Sequence, residues 1–73
     1  MDYTNKQITL EDNNTYVVIE QVEYNNSIYL YIANELDEDD TKFVEIKDNE
    51  IKKIDEQLFK SEILPLFVDK FSN

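Results

Sequence analysis

The run Tyr16-Val17-Val18-Ile19-Glu20-Gln21-Val22-Glu23-Tyr24, then Asn25-Asn26, then Ser27-Ile28-Tyr29-Leu30-Tyr31-Ile32 joins two limbs rich in β-branched and aromatic residues through an asparagine pair. Side chains of this kind pack well on a pleated surface, and asparagine supplies turn chemistry, so the run predicts two antiparallel strands. In the first limb Tyr16, Val18, Val22 and Tyr24 share one parity and Val17 and Ile19 the other. In the second, Ile28, Leu30 and Ile32 alternate with Tyr29 and Tyr31. Successive side chains of a strand point to opposite faces, so both faces of the sheet carry apolar groups.

A two-residue hairpin turn needs positive φ, which glycine usually supplies, and this chain has no glycine. Asparagine tolerates the left-handed region better than other residues, so Asn13-Asn14, Asn25-Asn26 and Asp48-Asn49 each predict a tight reversal. Ile8 and Leu10 precede the first of them. A fourth strand is expected over residues 42–47 and a fifth over 50–54, with residues 35–40 as the one longer connection.

Past Ile54 the period changes. Asp55 suits a helix N-cap and Glu56 its positive first turn, while Phe59, Ile63, Leu66, Phe67 and Phe71 recur at three- and four-residue spacing. Pro65 removes a donor and clashes with the carbonyl of Ser61, a cost of roughly 3 kcal/mol in a straight helix. A kink or break is therefore expected between Lys60 and Pro65, with Ser61 capping a restarted helix. The expectation is a single α+β domain: a flexible N-terminus over 1–6, an antiparallel meander of four to five strands over 7–54, and a helical segment over 55–71 packed on one sheet face.

The chain has 73 residues, one small core's worth of chain, and a formal net charge of −10. All seven basic residues are lysines, and Arg, His, Cys, Trp and Gly are absent. Zinc sites, disulfides, cysteine nucleophiles, histidine acid/base chemistry and glycine-rich phosphate loops are thereby excluded. Ser27, Ser61 and Ser72 have no histidine base, so no catalytic residue, cofactor or enzymatic activity is expected. The negative charge argues against direct binding to nucleic acid or to an anionic membrane. No apolar stretch approaches the roughly 20 residues of a membrane span or has the form of a signal peptide, and the cytoplasm is the expected location.

The charge excess is local. Residues 35–40 contain Glu35, Asp37, Glu38, Asp39 and Asp40, five acids in six positions, whereas residues 41–73 set seven acids against six lysines. Asp37 and Asp39 resemble the opening of a calcium loop, but the pattern requires glycine where Lys42 stands, so a solvated acidic loop with weak cation association is expected rather than a metal site. The second candidate feature is aromatic. Tyr29, Tyr31 and Phe43, with Tyr16 or Tyr24, either sit half-buried with their hydroxyls in water or form a patch on an uncovered sheet face, which would mark a partner interface.

The run Ile8-Thr9-Leu10-Glu11-Asp12-Asn13, the strand Tyr16-Val17-Val18-Ile19 leading to Val22-Glu23-Tyr24, the strand from Ile28 to Ile32, the acidic Asp37-Glu38-Asp39-Asp40 and the terminal helix together resemble the small acidic bacterial family catalogued as domain of unknown function 1292. The resemblance spans roughly residues 7–71 and rests on element order. It implies an α+β fold and no established activity.

Two functional expectations follow. The first is a protein-interaction module whose acidic loop, Glu35 and Asp37 to Asp40, steers a basic partner that Tyr29, Tyr31 and Phe43 then contact. The second is a DNA mimic that sets carboxylates where phosphates would lie and blocks a nucleic-acid-binding protein. An exposed edge strand also admits a homodimer.

Overall fold

Left-handed asparagine and aspartate residues close two of the hairpins. In the computed structural model, which describes residues 2–72, Asn25 and Asn26 have φ of 50° and 66°, and Asp48 and Asn49 have 54° and 65°. Each pair forms a two-residue loop in which both central residues take positive φ, the geometry that matches the twist of the flanking strands. The Asn13-Asn14 reversal differs from expectation. Asn13 alone is left-handed, and residues 10–14 make a longer loop in which Asn13 N–H donates to the Leu10 carbonyl and Asn14 N–H to Asp12 Oδ1.

Five strands result: β1 (Gln7–Thr9), β2 (Thr15–Tyr24), β3 (Ser27–Asn34), β4 (Asp37–Lys47) and β5 (Glu50–Lys53), antiparallel and in sheet order β1-β2-β3-β4-β5. A C-terminal helix completes the α+β fold. Ahead of β1, Asn5 N–H donates to the Val18 carbonyl, Val18 N–H to the Lys6 carbonyl, and Tyr3 N–H to Gln21 Oε1.

The expected connection over residues 35–40 is shorter than its sequence implies. Only Glu35 and Leu36 turn the chain; Asp37 already pairs with Asn34, and the next pair is Ala33 with Thr41, so Glu38 to Asp40 are extra residues bulged from the start of β4. Pairing with Asn34 overrides the poor strand propensity of Asp37, and the bulge absorbs the residues that follow it.

A second bulge has a larger consequence. Val18 pairs with Ile32 and Glu20 with Tyr31, which leaves Ile19 as an unmatched residue in β2. One extra residue moves everything after it to the opposite face. Tyr16 and Val18 therefore join Leu30, Ile32 and Val44 on one face, whereas Val22 joins Tyr29, Ile63 and Phe67 on the other, although all of these β2 residues share sequence parity.

The helix covers the second face. It comprises α1 (Glu56–Leu58), a π-helical stretch (Phe59–Ile63) and α2 (Leu64–Phe71). Asp55 caps it as expected, its carboxylate accepting from Leu58 N–H at 3.0 Å. Pro65 does not break it. The backbone stays helical through residues 58–64, and Leu64 N–H donates to the Phe59 carbonyl five residues back, so the turn widens just ahead of the proline. Ser61 does not cap a new helix; its hydroxyl donates to the Gln57 carbonyl. The irregularity expected between Lys60 and Pro65 thus takes the form of a π-turn over Phe59–Ile63 rather than a break and restart.

The first face has no helix. Its core of Tyr16, Val18, Leu30, Ile32 and Val44 is packed by Tyr3, Ile8, Leu10, Ile28 and Ile46. In a flat sheet β1 and β5 would lie four strand spacings apart, roughly 19 Å. Here one groove is lined both by Thr9 to Asp12 and by Ile51 to Lys53, so the sheet curls and buries this face against its own edges.

Candidate interaction surface

The acidic run is exposed. Glu35, Asp37, Glu38 and Asp39 all face solvent, and Leu36 between them is 89% exposed at the tip of the β3–β4 turn. Local side-chain bonds fix that turn: Asn34 Oδ1 accepts from Leu36 N–H at 2.9 Å, Asp37 Oδ1 accepts from Asp39 N–H at 3.1 Å, and Gln7 Nε2 donates to Glu35 Oε2 at 3.2 Å. Asx turns of this kind hold a short polar tip in one shape.

Asp40 leaves the group and turns toward the concave face. Its Oδ2 accepts from Asn34 Nδ2 at 3.1 Å and from the Tyr16 hydroxyl at 3.2 Å, and its Oδ1 meets Lys42 Nζ at 3.0 Å. The same Tyr16 hydroxyl donates to Asp12 Oδ2 at 2.8 Å, and Lys42 Nζ sits 5.0 Å from the Tyr16 ring centroid. Three consequences follow for protonation. The Asn34 amide, then Lys42, holds the Asp40 carboxyl below its ordinary value, and Asn14 N–H with Tyr16 does so for Asp12. Tyr16 and Asp40 hold the Lys42 ammonium above its ordinary value. Lys42 pulls the Tyr16 phenol down, yet burial and the two carboxylates outweigh it and leave the phenol raised. With hydroxyl and ring wholly buried, this network ties the β1–β2 loop to β4 as a structural clasp.

The expected uncovered aromatic face is not free. Tyr29 is 2% exposed, its hydroxyl donating to Glu45 Oε2 at 3.1 Å. Burial, then Glu45, pushes its phenol up. Phe43 lies 4.8 Å from Tyr31, 4.8 Å from Phe59 and 5.0 Å from Phe67, and Tyr31 meets Phe71 edge-on at 5.6 Å. The helix has closed over the patch, because its own aromatic residues match it in size and spacing. Tyr29, Tyr31 and Phe43 thus belong to the core between sheet and helix, and they are not brought together with the acidic turn into one surface.

Sequence reasoning passed over two features. Leu36 is a lone apolar residue inside an acidic run, a signal that was visible. The groove of about 760 Å³ beside β5, lined by Leu10, Val44 and Ile51 together with Lys42, Lys52 and Lys53, depends on sheet curl and left no local trace. Among the described residues no cluster of acids is placed to hold a metal ion, no buried side-chain polar atom lacks a partner, and no helix is long and apolar enough to cross a membrane. Compared with protein-family models, curated proteins and solved structures, the chain has no match.

Proposed function

We propose that the protein is a non-enzymatic interaction module of the cytoplasm that meets a basic protein partner with the acidic turn around Leu36. One observation carries the reading: a fully presented apolar side chain, Leu36, framed by the exposed carboxylates of Glu35, Asp37, Glu38 and Asp39. A central apolar anchor with a charged rim is the arrangement in which the anchor supplies binding energy and the rim supplies approach and orientation. Membership of the small acidic family named above, which rests on element order and the acidic run, is part of the same proposal.

DNA mimicry is the weaker reading. It needs carboxylates repeated along one surface at close spacing, and exposed lysines at positions 47, 52, 53, 60 and 70 interrupt the acids elsewhere on the molecule. The test is capture of partners from the native host by the whole chain and by a Leu36→Ser, Asp37→Asn, Asp39→Asn variant whose fold is checked by circular dichroism. A basic protein held by the wild type and lost with the variant, and released by salt, is the expected result. Equal capture by the variant overturns the proposal.

A further inference from the structure

The free edge of β5 and the groove beside it form a second surface of opposite character. β5 pairs only with β4. Lys47 and Glu50 close a two-residue hairpin and so exchange hydrogen bonds, and by antiparallel alternation the main chains of Ile51 and Lys53 turn toward the free edge. Their side chains point to the concave face, because Ile51 pairs with Ile46 and Lys53 with Val44. The groove next to them is floored by Leu10, Val44 and Ile51, and its far wall is the β1–β2 loop. Lys53 and Lys42 stand on the groove side with Glu11 and Asp12, and Lys52 lies on the other face of β5, in a chain whose net charge is −10. Lys42 is engaged by Asp40 and Lys52 reaches Glu50 at 3.9 Å, whereas Lys53 has no ion-pair partner among the described residues.

We propose that this edge takes an extended acidic segment of a partner protein as a sixth strand, laid in the gap of the curled sheet. The added strand donates to and accepts from the main chain of Ile51 and Lys53. Its side chains facing the groove alternate between an apolar group over Ile51 and a carboxylate beside Lys53, and an intervening carboxylate reaches Lys52 on the other face. Charges within a few ångströms govern such a contact, since the Debye length at physiological salt is about 8 Å. A second copy of the chain is the competing occupant. Side-by-side strands match faces, so β5 paired with itself about Ile51 sets Glu50 opposite Lys52 twice but leaves Lys53 opposite Asn49, and about Lys52 it sets two Lys52 ammonium groups opposite each other. This surface is independent of the acidic turn and does not rest on its role.

The test uses the full chain and two short capped peptides, one alternating valine with glutamate and its counterpart with lysine in place of glutamate. Amide shifts and slowed hydrogen exchange at Ile51 and Lys53 are expected with the glutamate peptide only. Lys53→Glu is expected to weaken that binding about tenfold. Ile51→Pro abolishes it while circular dichroism stays unchanged, because a proline whose missing donor faces an open edge is tolerated. Equal binding of the lysine peptide, protection at residues outside β5, dimerisation of the chain through β5, or no binding at millimolar glutamate peptide overturns the proposal.

Discussion

The two faces of the sheet reach burial by different routes. On one, Tyr29, Tyr31 and Phe43 meet Phe59, Phe67 and Phe71 from the helix, so a separate element supplies the cover. On the other, Tyr16, Val18, Leu30, Ile32 and Val44 are closed by the curl of the sheet and by the Tyr16 clasp to Asp12 and Asp40. The helix buries Val22, Tyr29, Ile63 and Phe67 and leaves Tyr31, Phe43 and Phe59 half-buried at the margin. A curling sheet whose two edge strands, β1 and β5, are short stops short of closure, and a groove stays open beside β5. The face that a second element covers becomes core, and the face that covers itself keeps an accessible edge.

Deleting Ile19 attacks the division between the faces directly. Without the extra residue, either Tyr16 and Val18 or Val22 and Tyr24 must point the wrong way, so loss of cooperative thermal unfolding is the expected result. A cooperative transition within a few degrees of wild type would show that the bulge is not what assigns the faces. Truncations on each side then compare the two kinds of cover. Phe67→Ala removes a wholly buried ring in contact with Phe43 and Phe71 and should cost about 3–5 kcal/mol in denaturant melts. Leu30→Ala on the concave face should cost about 2–5 kcal/mol, toward the lower end if the curl relaxes into the space.

Smaller changes sharpen the contrast. Asp55→Ala deletes the cap on Leu58 N–H and should cost about 1 kcal/mol, with faster amide exchange in the first helical turn and no change at Val18 or Ile32. Acid acts on the opposite side. Asp12 and Asp40 are held below their ordinary value of 3.8, so their contribution is present above about pH 4 and is lost as pH falls through their lowered folded values. The raised Tyr16 phenol contributes below pH 10 and fades as pH rises past it. Protection of β2 amides near Tyr16, taken relative to the intrinsic exchange rate at each pH, should therefore fall at low pH before that of the helix. Asp40→Asn should flatten that acid limb, and an unchanged limb would separate the clasp from the stability of this face.

Much of the meander was legible in the residues. Asn25-Asn26 and Asp48-Asn49 take positive φ at both positions, and Asp55 caps the helix, because these depend on a few neighbouring atoms. Asn13-Asn14 was harder. Asp12 competes for Asn14 N–H and lengthens the loop, an outcome that dipeptide chemistry does not specify. The candidate site divides in the same manner: the acidic residues Glu35 and Asp37 to Asp39 are exposed as their composition implies, whereas Tyr29 is buried, and Tyr31 and Phe43 half-buried, under a helix whose landing place is a long-range matter.

Composition alone removed histidine, cysteine and glycine chemistry, and alternation followed by a three- and four-residue period specified strands and then a helix. Tertiary pairing settled the rest. Tyr16 and Val22 are indistinguishable by parity, and only the registration of β2 against β3 places the bulge at Ile19 that sends them to different faces. Asp37 enters β4 because Asn34 of β3 partners it, with Glu38 to Asp40 bulged before Thr41 pairs with Ala33, and Pro65 stays helical because the turn before it can widen while Ile63 and Phe67 remain packed. Local propensities differ by about 1 kcal/mol or less, and burial of a large side chain outweighs them.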